Sequence, residues 1–337
     1  MQVLVVGGTG FLGAAVATAA VSAGHDVTIF TRGKTQRAFS SSITMLAGDR
    51  HTDLSTIRGR NFDLVVDTCA YTPLSVSLLL DALPQNVGRY ALVSSCSVYP
   101  DCSMPDVDEE GSAPCATEDQ LAFANAIPSA KRSDATSYGP AYGPLKRSAE
   151  LVALERLGDR AFILRSGLLV GPGDDTDRLT YWVRRVDQGG SMIAPGDPTR
   201  CIQFIDVRDA ADFIVSGAAR GSSGLFNLTG PPMTWAKFFG ACQAVAASNC
   251  ELRWIADDDL LAAGVSPWTE LPLWLPAKYL PLRHFLEIST AKAFEAGLQI
   301  RSIDETIGDI LIWDRMRKAM PLKAGLPIDK ETALLSR

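Results

Sequence analysis

Over the first half of the chain, short aliphatic and β-branched runs alternate with helical stretches, the pattern of a parallel sheet wrapped by helices. Strands are predicted near residues 2–6, 26–30, 43–46, 64–67, 90–94 and 161–165, with helices between them, most clearly over 11–23 and 145–157. Between 99 and 137 the alternation stops. The stretch that begins DCSMPDVDEEGSAP is acidic, rich in Ser and Pro and weakly periodic. It reads as a long surface excursion, free to move, with one short helix over 118–126. From about Gly171 onward loops and helices rich in Trp and Pro follow, including SPWTELPLWLP at 266–276, interleaved with strands at 203–207 and 224–228.

The 337 residues suffice for one large α/β domain carrying a smaller lobe, and 47% hydrophobic with 21% charged residues is a globular balance. A net charge of −6 and a pI near 5.2 set the surface as a whole against nucleic acid and anionic membranes, so the expected partner is a small-molecule substrate. Seven scattered cysteines without a C-x-x-C pair suit free thiols in a reducing compartment. His25, His51 and His284 are isolated from one another, so no metal site is expected. The apolar start MQVLVVGGTGFLGAAVATAAV lacks a basic leader and resolves into strand, turn and helix, and no other run approaches a membrane span. A cytoplasmic protein is the expectation.

Gly7, Gly8, Thr9, Gly10, Phe11, Leu12 and Gly13 form a G-x-x-G-x-x-G turn directly after the first strand and at the opening of a helix. Glycines there allow a tight turn, let the backbone approach a pyrophosphate and pack helix on sheet, while the helix N-terminus supplies positive charge. The fold class that follows is α/β: a Rossmann-type doubly wound parallel sheet with a smaller, discontinuous C-terminal substrate lobe. Residues 1–170 are expected to form the dinucleotide-binding domain, with 203–224 returning to it. Residues 171–202 and 225–337 make up most of the lobe.

After the second strand, where NAD-specific folds keep a carboxylate for the ribose hydroxyls, stand Thr31, Arg32, Gly33 and Lys34. Arg32 and Lys34 suit a 2′-phosphate, which favours NADP(H) over NAD(H); a solvated basic turn is the plainer alternative. Asp49, in AGDR after the third strand, is placed to accept from the adenine amino group or simply to cap a turn.

Pro144 in Tyr142-Gly143-Pro144-Leu145-Lys146 belongs in the first turn of a helix, so Tyr142 and Lys146 share one face. Proton transfer near neutral pH calls for a tyrosine below its usual value. An ammonium ~4 Å away is worth up to ~4 kcal/mol at an effective dielectric of 20, enough to lower a phenol by roughly 2–3 pH units. Y-x-x-x-K alone is a common accident. Its weight here comes from Ser94-Ser95-Cys96-Ser97-Val98-Tyr99 after the fifth strand, because a hydroxyl at the C-terminal end of such a strand faces the ligand crevice.

The order GGTGFLG, AGDR, SSCSVY, YGPLKRSAE, LRSGLLVGPGD and QFIDVRDAA resembles the extended short-chain dehydrogenase/reductases, the NAD-dependent epimerase/dehydratase group, across nearly the whole chain. The resemblance implies Tyr142 as acid/base, Lys146 holding the nicotinamide ribose and tuning Tyr142, and Ser95, rather than Ser94, bonding the reacting oxygen. It also implies that Ala70 and Tyr71 line the cofactor, with Ser94 beside it. Members acting on nucleotide sugars usually carry an asparagine where this chain has Leu168 and an arginine where it has Ile202. Their absence argues against a diphosphate substrate. Arg178 and Arg200 are candidate substitutes, and Cys96 and Ser97 are candidate substrate contacts, although a buried inert Cys96 is the commoner outcome. Trp268 and Trp274 line the substrate pocket, cover it or fill the lobe's core, the last being the default for aromatics at irregular spacing.

Three functions remain open at this point. They are an NAD(P)-dependent oxidoreductase on a carbonyl or alcohol of a small oxygenated molecule, an epimerase or dehydratase that borrows and returns the hydride, and a non-catalytic relative that senses the cofactor or binds RNA. The family implication of dimers through helices flanking the sheet leaves a homodimer open.

Overall fold

The computed structural model describes residues 1–336 except 36, 133, 318 and 319, and only the backbone at 130. Strands β1 (Gln2–Val6), β2 (Asp26–Thr31), β3 (Thr44–Ala47), β4 (Leu64–Asp67), β5 (Arg89–Ser95) and β6 (Ala161–Ser166) follow the predicted runs to within a residue. Short strands β7 (Leu169–Val170), β8 (Ser191–Pro195), β9 (Cys201–Ile202) and β10 (Ile205–Asp206) come next, then β11 (Gly224–Leu228). Seven of these form one parallel sheet in the order β11-β6-β5-β4-β1-β2-β3. Every residue of β4 and β6 is buried, as expected where both faces of a sheet are covered and strands read as unbroken apolar runs.

Helices α1 (Phe11–Ser22) and α6 (Val207–Arg220) cover one face; α2 (Pro73–Ala82) and α4 (Tyr142–Leu157) cover the other. The small residues Gly13, Ala14, Ala17 and Ala20 make α1 buried along much of its length. Register fixes the working edge. Val6 is level with both Phe30 and Asp67, so the carboxyl ends of β1, β2 and β4 open together where the strand order reverses. In such sheets that switch point is the ligand crevice.

Three expectations change. The strand foreseen at 203–207 is the two-residue β10, paired with β7. Residues 225–228 belong to the central sheet and not to the lobe, because β11 pairs along all five residues with β6. The 99–137 excursion is packed down: Tyr99, Cys102 and Glu109 are buried, and the main chain bonds to the far segment through Cys102 N to Pro281 O (2.6 Å) and Asp106 N to Glu287 O (2.8 Å). Its short helix, α3 (Glu118–Ala126), starts on a Thr117–Gln120 capping box.

A second core gathers α5 (Arg178–Asp187), α7 (Trp235–Ala246) and the helix Ile303–Met316 around Trp182, Trp235, Phe238 and Phe239. Trp274 is buried there with Nε1 bonded to Asp257 (2.8 Å), and Trp268 packs edge-on to Phe285, so both fill the core. No helix among the described residues is long and apolar enough to cross a membrane.

Candidate active site

The glycine turn opens a crevice of about 350 Å³ at the switch point. A Cβ on Gly13 would overlap the Gly7 carbonyl oxygen, so only glycine lets α1 start this close to the turn. Helix α1 begins at Gly10 with no side-chain cap and no acid in its first turn, whereas α2, starting at the same sheet edge, is closed by the Thr72 hydroxyl on Ser75 N. Uncapped N–H groups beside a glycine cradle suit an anion. Of the expected cofactor residues, Gly7, Thr9, Gly10, Phe11, Leu12, Gly13, Arg32, Lys34, Asp49 and Tyr71 line this crevice; Ala70, Ser94, Tyr142 and Lys146 do not. Asp49 accepts from His51 N (2.8 Å), so its carboxylate also shapes the turn.

Residues missed from sequence complete the wall. Arg50 forms a bidentate, buried pair with Asp67 (2.6 and 2.8 Å) and bonds Ser75 O, while Tyr90 donates to the same carboxylate. Burial alone would raise the Asp67 carboxyl, yet Arg50 beside it holds it below the usual range. His51 is kept neutral, its value pulled down to about 4 by burial, then by Arg50 and Arg132, and its Nδ1 has no partner among the described residues. Ser129 and Arg132 reach the crevice from the excursion. The only signals in sequence were an arginine after Asp49 and an aspartate ending an apolar strand.

Tyr142 stands at the start of α4, and Gly143 explains its position. A Cβ at 143 would collide with the Ser97 carbonyl oxygen, so glycine lets α4 press against the turn Cys96–Val98. Ser95 ends β5 and caps that turn, accepting from Ser97 N (3.1 Å). Burial raises the Tyr142 phenol, and a hydrogen bond with Ser95 works against that rise. Ser95 and Tyr142 thus lie side by side, at the end of β5 and the start of α4.

Lys146, one turn along α4, has contacts of its own. It is 2% exposed, and its ammonium donates to Ala70 O (2.8 Å) and Val93 O (2.5 Å) beneath the Tyr71 ring, 5.2 Å from the centroid. Burial lowers it to about 8, against the pull of Asp67 and Glu150. Buried, the ammonium spends two of its protons on these main-chain carbonyls. The Tyr142 phenol, raised by burial, is protonated at neutral pH and suited to giving a proton. Tyr71 ties the group together, its ring 6.0 Å from Tyr142 and 5.4 Å from Tyr138.

Other candidates fall away from the crevice. Ser94 is buried and donates to Glu150 (2.5 Å) inside a network in which Arg165 holds Glu150, Tyr99 and the Glu109 carbonyl. Ser94 is thus tied to Glu150 in the middle of α4, while Ser95 lies beside Tyr142 at its start. Cys96 is buried with its thiol on Arg165 O (3.2 Å), and burial raises its pKa, so it is inert. Ser97 is exposed and accepts from the Ser95 hydroxyl. Arg178 bonds Thr176 (3.0 Å), and Arg200 bonds Arg283 O (3.0 Å) in a different cavity with Asp257 and His284; neither lines the glycine crevice. Leu168 and Ile202 are buried in the second core, where a diphosphate would meet no donor from either.

Residues 3–228 match the family described as NAD dependent epimerase/dehydratase. The chain is 32% identical over 267 residues to the chloroplast stem-loop binding protein of 41 kDa b of Arabidopsis thaliana, covering 74% of this chain and 63% of that relative's length. Among solved structures it is similar to UDP-N-acetylglucosamine 4-epimerase from Bacillus cereus (TM-score 0.67, 18% identity, 96% of this chain and 99% of the other). It is also similar to UDP-glucuronic acid 4-epimerase from Bacillus cereus in complex with NAD (0.64, 14%, 94% and 99%). A third is dTDP-glucose 4,6-dehydratase from Bacillus anthracis in complex with NAD (0.64, 13%, 94% and 97%). At these identities the structural likenesses show the fold. With the match to the family running over two thirds of its length, the chain belongs to the NAD dependent epimerase/dehydratase family.

Proposed function

We propose that the chain is an NAD(P)-dependent oxidoreductase that interconverts a carbonyl and an alcohol on a small oxygenated molecule. The observation that carries this reading is the placement of Ser95 at the end of β5 beside a partly buried Tyr142 at the start of α4, on the sheet edge that also holds the glycine crevice. Gly7 to Gly13 and the open end of α1 fit a dinucleotide pyrophosphate, and the crevice reaches from there to Tyr71, which contacts Tyr142. A bound nicotinamide supplies or accepts the hydride at its C4. Ser95 would steady the carbonyl oxygen, Tyr142 would give it the proton as the alcohol forms, and Lys146 would fix the wall on which the cofactor ribose rests.

Arg32 and Lys34 favour NADP(H): both line the crevice after β2 and no acid stands there. Two of the solved relatives are complexes with NAD, so NAD(H) is the alternative. The family itself supports a second reading, an epimerase or dehydratase acting on a sugar, in which the hydride returns to the substrate. The name of the Arabidopsis relative suggests stem-loop binding; a net charge of −6 weighs against nucleic acid here. Leu74 on α2 and Leu151 on α4, each 40% exposed, would serve a homodimer through those helices.

The test is incubation with NADPH and a panel of small carbonyl compounds while the nicotinamide absorbance is followed. Substrate-dependent NADPH oxidation supports the proposal. Isomerisation or dehydration of a sugar panel without added cofactor and without net absorbance change would replace it with the second reading.

A further inference from the structure

We infer that Arg132, delivered by the packed excursion, is a further cofactor-holding residue that closes the crevice over the adenosine half of the dinucleotide. The inference rests on the dinucleotide reading above and adds a residue with no motif around it. Its carrier is anchored. Ala124, Ile127 and Tyr138 are buried in one cluster with Ala141 and Leu145 of the α4 entrance, against Tyr71 and Tyr142. The turn Ser129–Lys131 is therefore held at a set height above the sheet edge.

The guanidinium is oriented as well. Its Nε donates to Ile127 O (2.7 Å) and one terminal nitrogen to Asn125 O (2.6 Å), the carbonyls at the end of α3. Both partners are neutral main-chain groups, so the positive charge is aimed by these contacts and not cancelled by them. Tyr138 holds the Arg132 carbonyl through its hydroxyl (2.8 Å), which fixes the backbone.

Position then decides the ligand. Arg132 lines the crevice together with Gly48, Asp49 and His51, the residues that follow β3. In a doubly wound sheet the glycine turn after the first strand takes the pyrophosphate, and the ends of the next two strands flank adenine and its ribose. A cation on that side meets a purine face or an adenosine phosphate, and the planar guanidinium serves either contact. His51, whose Nδ1 has no partner among the described residues, offers a neutral ring on the same wall.

The experiment is binding of ADP, nicotinamide mononucleotide, NADH and NADPH to wild type, Arg132→Ala and Arg132→Gln by calorimetry, with thermal unfolding as the control. Gln keeps an amide donor for the α3 carbonyls and removes the charge. Both variants should bind ADP, NADH and NADPH about tenfold more weakly, the loss of one charge-assisted or stacked contact, with mononucleotide affinity and the Gln variant's unfolding temperature unchanged. Wild-type affinity for ADP in a folded Gln variant would overturn the role of Arg132 while leaving the dinucleotide reading intact. A wild type that binds no dinucleotide would overturn both.

Discussion

The glycine crevice at the sheet edge and the aromatic core of the second half put their polar groups to different uses. At the sheet edge α1 begins on glycine with its N–H groups uncapped, His51 Nδ1 lacks a partner among the described residues, and Lys34 and Arg132 line one crevice. In the second core, Trp182 donates to Pro272 O, Gln203 serves three main-chain groups, and Arg184 and Arg185 are paired with Asp314 and Glu331. An unsatisfied polar group in a folded protein costs stability unless a ligand completes it. Thr180 Oγ1 and Tyr181 OH of the second core also lack partners among the described residues, so it is the open helix end over a crevice, and not the orphans alone, that marks the binding edge. The same contrast separates α1 from α2, two helices opening at one edge, of which only α2 supplies its own cap.

The largest effect should come from the reacting hydroxyls. Tyr142→Phe is expected to lower turnover by roughly 10²–10⁴-fold, the usual worth of a positioned acid, with dinucleotide affinity kept; equal loss of both would move Tyr142 out of the chemistry and into binding. On the other side, Trp182→Ala removes a fully buried ring contacted by Tyr181, Trp235 and Phe239. It should cost about 3–5 kcal/mol in denaturant unfolding while folded protein still binds the dinucleotide. If affinity fell in step with stability, the halves would not be separable.

A pH series sharpens the comparison further. Lys146 ionises near 8 in the folded chain against 10.5 unfolded, so between these values the unfolded chain holds more proton and the Lys146 contribution to stability rises with pH. Its charge, however, is lost above about 8. Turnover should therefore decline from pH 8 to 9 while the unfolding temperature shows no matching fall; parallel decline would point to general alkaline unfolding. The smallest effect is expected at Arg32→Ala, about tenfold on NADPH binding and little on NADH, and equal effects on the two would remove the case for a 2′-phosphate contact.

Much of this was legible in the sequence, for identifiable reasons. Strands buried on both faces appear as uninterrupted apolar runs, so β1, β4, β5 and β6 were readable from the sequence alone. The glycine turn and the Tyr142–Lys146 spacing are local and carry their geometry with them. What could not be read depends on distant partners. Ser94 was expected beside the cofactor, but its acceptor Glu150 lies 56 residues on. The excursion was expected to move, yet Tyr99 is held by Asn227 and Arg165, 128 and 66 residues away. Helical spacing shows that Tyr142 and Lys146 share a face but not which carbonyls hold the ammonium. Arg132 sits in a short, aperiodic turn with no motif around it.

The most direct test is a fluorescence titration of NADPH and NADH into wild type and Gly13→Val, with thermal unfolding of both proteins. Saturable binding by wild type, lost in a variant that still unfolds cooperatively, is the predicted result, because the valine Cβ would occupy the space of the Gly7 carbonyl under the cradle. No saturable signal from wild type, or equal binding by Gly13→Val, would contradict a dinucleotide seated on the open end of α1.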